Sequence, residues 1–492
     1  MVSSKKYFKG VIMHYYIYPN GGNAKYIAWI IDFMNGVFKE RKDNDTYFFI
    51  DDNSPEQSLE RLSAAVKEEI FQSKAKLLLS SPKNYDKLLD NCLKYGICEC
   101  YDGVKISANW LNSYYREKFD CSNIIAVQLS GFSSFQKHLG SICQRLQEGG
   151  LQIVYVVSLG HYWFSEIKND LDKRGEKYLC ADAEILENLN FFPFIIEQTN
   201  IARFYTGVYS LKIVTSMEQI SNRICSTKEL LEVLNISFLL SSYVNIHSKS
   251  IYKEIFKLQS FNGILPSPEP RLIRGGYPSI EKEVDEFGDT IDYTIKRDTV
   301  IFISTFLNFN QPQKLSRYIL KALDFGFRVI FKSCPPLEQT HKSREDDFAE
   351  AFKSYPNFIY WQNETPRLSK EELQRSITAI EIYSSMMYSY PVITKRPAIL
   401  LYPNRNDTNQ EILENDCFYQ ENLHIRIFEE DESSFIEVFV KLSEDLSYQR
   451  EWEKKILDYC QNDLFNFKNA SIYLSNWILK WYKKRRLLKN SL

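Results

Sequence analysis

Short runs of β-branched and aromatic residues alternate with helix-length, Lys/Glu-rich amphipathic segments along most of this chain, and no other feature limits its folds so sharply. A strand followed by a helix before the next strand is the pattern of crossover connections, which bury both faces of a parallel sheet under helices. The class read from it is α/β. Strands are expected in the first half at Lys9–Tyr16, Thr46–Ile50, Lys76–Leu79, Ile124–Gln128, Gln152–Val157, Phe191–Ile196 and Leu211–Val214. A second series is expected at Thr299–Thr305, Arg328–Lys332, Phe358–Trp361, Ala379–Ile382 and Ala398–Tyr402. Between them the periodicity breaks at Asn262–Pro278, where Pro and Gly crowd together as in an interdomain connection. Two Rossmann-like domains are therefore expected, residues 1–265 and 280–463, followed by a separate segment at 464–492.

Length agrees with this division, because 492 residues exceed what one hydrophobic core supports. Apolar residues at 44% and charged residues at 25% are ordinary for globular proteins, which sets aside disordered and membrane-spanning classes. A formal charge of -2 argues against a general nucleic-acid binder, since phosphate-backbone affinity needs a concentrated basic surface. The ten cysteines lack the paired spacing of a zinc site or a disulfide framework. Cys98 and Cys100 have no second pair beside them and read as plain thiols. No metal and no cofactor is expected. Met1–Lys9 lacks an apolar signal core and no apolar run is long enough to span a bilayer, so a cytoplasmic location, at most at the inner face of the membrane, is the expectation.

The last segment carries Phe465, Phe467, Tyr473, Leu474, Trp477, Ile478, Trp481 and Tyr482 ahead of a Lys483-Lys484-Arg485-Arg486 cluster. It reads as an amphipathic helix packing back across the domains with a solvated basic end. A sharper reading is peripheral contact of that end with anionic lipid.

Ligands of open parallel sheets bind beyond the carboxyl ends of the strands, so the residues following each strand are the candidates for chemistry. Gly21 and Gly22 follow the first strand and open a helix, where backbone N–H groups can approach an acceptor or a phosphate, although a plain turn explains them equally. Ser130 and Gly131 take the same position after Ile124–Gln128, and His161 follows Gln152–Val157. None of the six histidines forms a ligand cluster; His161 is the best placed general base and His14 the next, each against the reading of a structural histidine. In the second half, Glu381 is followed by Ser384 and Ser385 near the start of a helix, suited to a pyrophosphate or to ordinary capping. Lys332 ends its strand as a cation able to neutralise a nucleotide leaving group, or as an exposed lysine. Neither half opens with the G-x-G-x-x-G turn and ribose-binding acid of a dinucleotide-dependent oxidoreductase.

Ser241–Phe256 with Gly276–Glu281, then Thr299–Thr305, Phe327–Pro335 and Ile382–Ser385 with Lys395–Tyr402, taken in this order, resemble segments of the CDP-glycerol glycerophosphotransferase family of teichoic-acid type polymerases and capsule enzymes. Ser241–Phe256 followed by Gly276-Tyr277-Pro278-Ser279-Ile280-Glu281 is similar to that family's serine-bearing helix and the turn after it. Thr299–Thr305 is similar to the strand that opens its donor domain, and Phe327–Pro335 stands where the family has R-P-H-P. Ile382-Tyr383-Ser384-Ser385 with Lys395–Tyr402 is similar to its donor-phosphate segment, D-Y-S-S then K-P-x-x-x-Y. The resemblance implies a GT-B-like architecture, with two parallel sheets facing a central cleft and the C-terminal helix crossing back. It also implies a donor site including Thr305, Gly276 and Tyr277 beside Lys332, Glu381, Ser384 and Ser385.

The departures are equally specific. Ser333 and Cys334 replace the region of the family histidine, Ile382 replaces the aspartate with Glu381 next to it, and no H-G-T occurs in the first half. What is expected is a transferase using a nucleotide-activated sugar or alditol phosphate, with a glycan or lipid-linked acceptor, to build a bacterial surface polysaccharide such as a capsule, a teichoic-acid-like polymer or a lipopolysaccharide glycan. The alternative is a GT-B-like scaffold that has lost its catalytic groups.

Overall fold

The computed structural model describes residues 13–37, 44–54, 56–129, 139–159, 164–181, 183–198, 205, 207–213, 241–250, 252–253, 272–288, 291–304, 312–333, 339–362, 368–381, 384, 386–407, 419–431 and 434–490. Four strands, β1 (His14–Tyr18), β2 (Thr46–Phe49), β3 (Ala75–Leu79) and β4 (Cys100–Asp102), form a parallel sheet in the order β2-β1-β3-β4. The next seven are β5 (Ile124–Gln128), β6 (Gln152–Val157), β7 (Tyr178–Cys180), β8 (Phe194–Glu197), β9 (Tyr209–Ile213), β10 (Tyr243–Asn245) and β11 (Leu272–Ile273). They form a second parallel sheet in the order β11-β10-β9-β8-β5-β6-β7. A third holds β12 (Thr299–Ile303), β13 (Arg328–Lys332), β14 (Phe358–Trp361), β15 (Ser376–Glu381), β16 (Ala398–Tyr402) and β17 (His424–Phe428), ordered β14-β13-β12-β15-β16-β17.

The parallel α/β class is as expected, and the second half forms one sheet. The first half does not; it holds two. The reason lies in the helices between them. Gly22–Val37 and Gly103–Lys118 bury Ile27, Ile31, Val104, Ala108 and Leu111 completely or nearly so. On one side they meet Tyr15, Ile17 and Leu78 of the four-stranded sheet, and on the other Ile124, Ala126, Val154 and Val156 of the seven-stranded sheet. One helical layer thus serves two sheets, and each strand beneath it buries a face there. The opposite faces find separate covers. Leu77 and Leu79 pack with Ile70 and Cys92, whereas Ile125, Val127, Ile153 and Tyr155 pack under the C-terminal helix Ala470–Asn490. Strands buried on both sides explain why apolar residues run continuously through β5 and β6 rather than alternating with polar ones.

The C-terminal helix does cross back. Leu474, Ile478 and Tyr482 lie in the core of the seven-stranded sheet, and the Tyr482 hydroxyl donates to the Ile124 carbonyl at 2.7 Å. Its approach is set at a junction beyond β10 and β11. There Phe465 N–H donates to His247 O at 2.8 Å, Lys249 N–H donates to Asp463 O at 2.8 Å, and Ser248 bridges Leu464 in antiparallel fashion. No described helix is long and apolar enough to cross a membrane.

Candidate functional site

Strand order locates the candidate sites before any side chain is considered. Numbered within its own sheet, the third reads 3-2-1-4-5-6, and the seven-stranded sheet follows the same scheme with one strand added beyond the sixth. This is the doubly wound order of a Rossmann-like unit, whose ligands sit at the carboxyl edge where successive connections diverge to opposite sides. The divergence falls between β12 and β15 in one sheet and between β5 and β8 in the other.

At the β12/β15 switch point, Ser304 follows β12 and Glu381 ends β15, both buried. Ser304 N–H donates to the Lys332 carbonyl at 2.8 Å, which joins the end of β12 to the end of β13. Lys332 is half-buried there, and its ammonium donates to the Ser333 carbonyl at 3.0 Å. Ser384 lies just ahead of the helix Met386–Thr394, where its hydroxyl accepts from Met386 N–H at 3.3 Å. Ser384 therefore caps the helix at the edge where a phosphate would meet its positive end. Three of the residues expected for the donor, Lys332, Glu381 and Ser384, thus converge on one edge. Thr305 and Ser385, which adjoin it in sequence, lie outside the described residues.

The β5/β8 switch point holds polar residues that sequence reading missed. Gln128, Glu197 and Gln198 are all buried, and Lys212 of the neighbouring β9 pairs in register with Glu197. Gln198 Nε2 donates to the Gln128 carbonyl at 3.1 Å, and the Tyr205 hydroxyl donates to Glu197 Oε1 at 2.8 Å. Gln128 Oε1 is buried without a hydrogen-bond partner among the described residues. Buried polar groups are retained only where they are satisfied or used, which sets this cluster apart from the apolar strands that carry it. The available signal was a charged residue terminating or interrupting an otherwise apolar run, Phe-Ile-Ile-Glu in β8 and Tyr-Ser-Leu-Lys-Ile in β9. Ser130 and Gly131, the expected acceptor loop after Gln128, lie outside the described residues, as does His161.

Gly21 and Gly22 occupy the β1/β3 switch point of the four-stranded sheet, exposed and with open space where a Cβ would stand. The polar groups beside them are tied to one another. Ser80 Oγ donates to the Pro19 carbonyl at 2.6 Å, and Asn23 Nδ2 reaches the Ser80 carbonyl at 2.9 Å and Glu184 Oε2 at 3.2 Å. Burial alone would raise the Glu184 carboxyl; its own backbone N–H, the Asn23 amide and Lys83 outweigh that and hold it below the usual carboxylate range. Four residues into the helix that Gly22 opens, the Tyr26 hydroxyl lies 2.7 Å from Ser158 Oγ and accepts from Leu159 N–H at 3.0 Å. That contact anchors the chain just ahead of His161.

Three expected residues stand elsewhere. His14 begins β1 at its amino end, the edge away from the ligand loops, with Nδ1 2.6 Å from Thr46 Oγ1. Gly276 and Tyr277 lie at the junction after β11 rather than on the β12/β15 edge. A Cβ on Gly276 would come within 2.1 Å of the Phe465 carbonyl, and its φ of +94° also favours glycine, so the residue admits the incoming C-terminal segment. Tyr277 is buried against His247, their ring centroids 5.4 Å apart.

No protein-family model and no curated protein matches this chain. Among solved structures it is similar to the wall teichoic acid polymerase TagF, at 13% identity over 82% of this chain and 96% of that one, with a TM-score of 0.48. It is similar also to the UDP-GlcNAc 2-epimerase from Neisseria meningitidis bound to UDP-GlcNAc, at 13% identity over 73% and 99% of the two chains, with a TM-score of 0.44. A third is the catalytic domain of starch synthase IV from Arabidopsis thaliana bound to ADP and acarbose, at 10% identity over 73% and 98%, with a TM-score of 0.37. At such identities each is a likeness of fold and nothing finer.

Proposed function

We propose that this chain is a GT-B-type transferase that binds a nucleotide-activated sugar or alditol phosphate at the β12/β15 edge and accepts a glycan or lipid-linked acceptor from the first half, across a cleft between the two. The observation that carries the reading is the pair of doubly wound sheets, each ending at its switch point in buried polar side chains. Ser384, Ser385 and the helix N-terminus they precede would hold the donor phosphates, with Lys332 offsetting negative charge on the departing nucleotide. The acceptor hydroxyl would lose its proton to a base from the first half, His161 or the buried Glu197. Fixed dipoles and lysine supply the charge stabilisation, so no metal is part of the proposal. The product would be a bacterial surface polysaccharide, assembled in the cytoplasm with the basic C-terminal end touching the inner membrane face.

A second reading has its own observation. Where the resembling family carries its R-P-H-P histidine, Ser333 is buried and its hydroxyl donates to Glu345 Oε2 at 2.7 Å. A position turned over to structure suits a catalytically silent scaffold subunit of a glycan-assembly complex.

Calorimetric titration of the full chain with CMP, CDP, UDP, GDP, CDP-glycerol, CDP-ribitol and UDP-sugars separates these. One nucleotide class is expected to bind, with Lys332→Met weakening it by about tenfold, roughly 1.4 kcal/mol. CDP or CMP selectivity points to alditol-phosphate transfer, and UDP or GDP selectivity to glycosyl transfer. Glu197→Gln is expected to keep nucleotide affinity while lowering turnover by about 100-fold or more if Glu197 is the base. Binding without turnover on a broad acceptor panel supports the scaffold, and a chain that binds no nucleotide would sink the transferase reading.

A further inference from the structure

A cavity of about 230 Å³ opens at the amino edge of the seven-stranded sheet, the edge away from the switch-point cluster. Ser122 ahead of β5 and Pro193 ahead of β8 form part of its wall, and Tyr482 with Arg485 and Arg486 of the C-terminal helix closes it. Arg116, from the last turn of Gly103–Lys118, is the third arginine around it. Two elements far apart in sequence therefore bring three guanidinium groups to one small space.

None of the three forms an ion pair among the described residues. Arg116 Nη2 donates to the Asn190 carbonyl at 3.1 Å and to Asn190 Oδ1 at 2.5 Å, both neutral acceptors. Arg486 donates to Asn123 Oδ1, neutral as well. Arg485 lies over the Trp481 ring at 5.4 Å, and its Nη1 is buried with no hydrogen-bond partner among the described residues. The neighbouring carboxylate, Asp120, accepts from Ser122 N–H at 3.0 Å, Ser122 Oγ at 2.6 Å and Asn123 Nδ2 at 2.7 Å, which orders the wall. Like charges gathered round a cavity without a carboxylate partner repel one another, and an anion entering it relieves that repulsion. Planar, always-charged guanidinium forks suit the oxygens of a phosphate in particular.

We propose that this cavity binds a phosphate-bearing anion, held by Arg116, Arg485 and Arg486. Two sources share that chemistry, a soluble phosphate ester and a phospholipid headgroup. Leu487 and Leu488 stand 63% and 58% exposed directly after the arginines, and the helix there also displays Lys483 and Lys484, a surface suited to lipid. The site is independent of the donor chemistry and differs from a loose basic patch, because Arg116 belongs to it and Lys483 and Lys484 do not line it.

The test uses the full chain, with thermal unfolding in inorganic phosphate and sedimentation with vesicles of phosphatidylcholine with or without phosphatidylglycerol. Phosphate is expected to raise the melting temperature saturably, with the rise lost in Arg116→Gln and Arg485→Gln but kept in Lys332→Met, which removes a donor-site cation. Co-sedimentation with phosphatidylglycerol vesicles, reduced at least fivefold by the same two substitutions, assigns the phosphate to lipid. A phosphate response without sedimentation assigns it to a soluble ester. The proposal is overturned if Arg116→Gln and Arg485→Gln respond like wild type in both measurements, if wild type responds in neither, or if only Lys483→Ala/Lys484→Ala abolishes sedimentation. Arg485→Lys, which keeps the charge, is expected to retain part of the response, so that misfolding of the Gln variants cannot imitate loss of the site.

Discussion

His247 and His424 are buried where a proton is hard to accommodate. Burial pushes the His247 imidazole down from 6.5 to about 4, and burial, with Arg426 nearby, takes His424 down to about 3 even though the Met387 carbonyl favours its protonation. The ring's two contacts fit its neutral form: Nδ1 accepts from Gln420 N–H at 3.0 Å, which needs that nitrogen unprotonated, and Nε2 lies 3.0 Å from the Met387 carbonyl as donor. Between pH 6.5 and 4 the unfolded chain takes up protons on both rings while the folded chain does not. Stability therefore falls as pH drops through this window, by roughly 3 kcal/mol for His247 alone at its lower end. Urea denaturation at pH 7.5, 6.0 and 4.5 is expected to show the midpoint moving down, with a shallower slope in His247→Gln; parallel slopes would contradict the assignment. At this scale the candidate site was partly legible. Lys332, Glu381 and Ser384 could be read because they end apolar strands or start the helix after one. Glu197, Lys212 and Gln128 were passed over because a single polar side chain inside an apolar run looks like noise until the partner strand is known.

Elements begin and end where local chemistry says they should. The helix Leu446–Asn462 starts at Asp445, whose carboxylate accepts from Ser447 N–H at 2.9 Å and Tyr448 N–H at 3.1 Å, and it buries Trp452, Ile456, Tyr459 and Cys460. Asp445→Ala removes the acceptor for both N–H groups and is expected to lower the denaturation midpoint, with Asp445→Ser recovering most of it. Chemical denaturation measures both, and equal midpoints for all three proteins would show that the cap contributes nothing. Strands follow the same logic. β5, β6, β13, β14 and β16 have the bounds their apolar runs predict. β4, β7, β10 and β11, two or three residues long, were missed because so short a run carries no periodicity, and β17 because the polar His424 and Arg426 break its apolar pattern.

The C-terminal helix fastens the end of the chain to the seven-stranded sheet. Leu474, Ile478 and Tyr482 are almost wholly buried, and the ring of Trp481 lies 4.9 Å from that of Phe194. At about 1.5–3 kcal/mol for each fully buried large side chain, losing these three removes stabilisation comparable with the whole stability of an ordinary domain. Truncation after Asn469 is accordingly expected to leave the seven-stranded sheet uncovered and the protein aggregated or molten. A soluble truncated chain with a wild-type melting profile would overturn this account. The same helix supplies Arg485 and Arg486 to the cavity, so the cover of the sheet and the proposed anion site depend on one segment.

The amino-acid sequence by itself determined the α/β class, the helix-for-strand alternation and the amphipathic character of the last helix. All of these follow from periodicity and composition within a window of some ten to twenty residues, where strand and helix patterns differ. Tertiary structure alone decided that the first half divides into two sheets, that Gly22–Val37 and Gly103–Lys118 are shared between them, and that Gly276 serves the crossing chain. It also decided that Arg116 and Arg485 line one cavity. Such outcomes depend on which buried faces meet over hundreds of residues of chain, and a strand with two apolar faces carries no local mark of which helix will cover each.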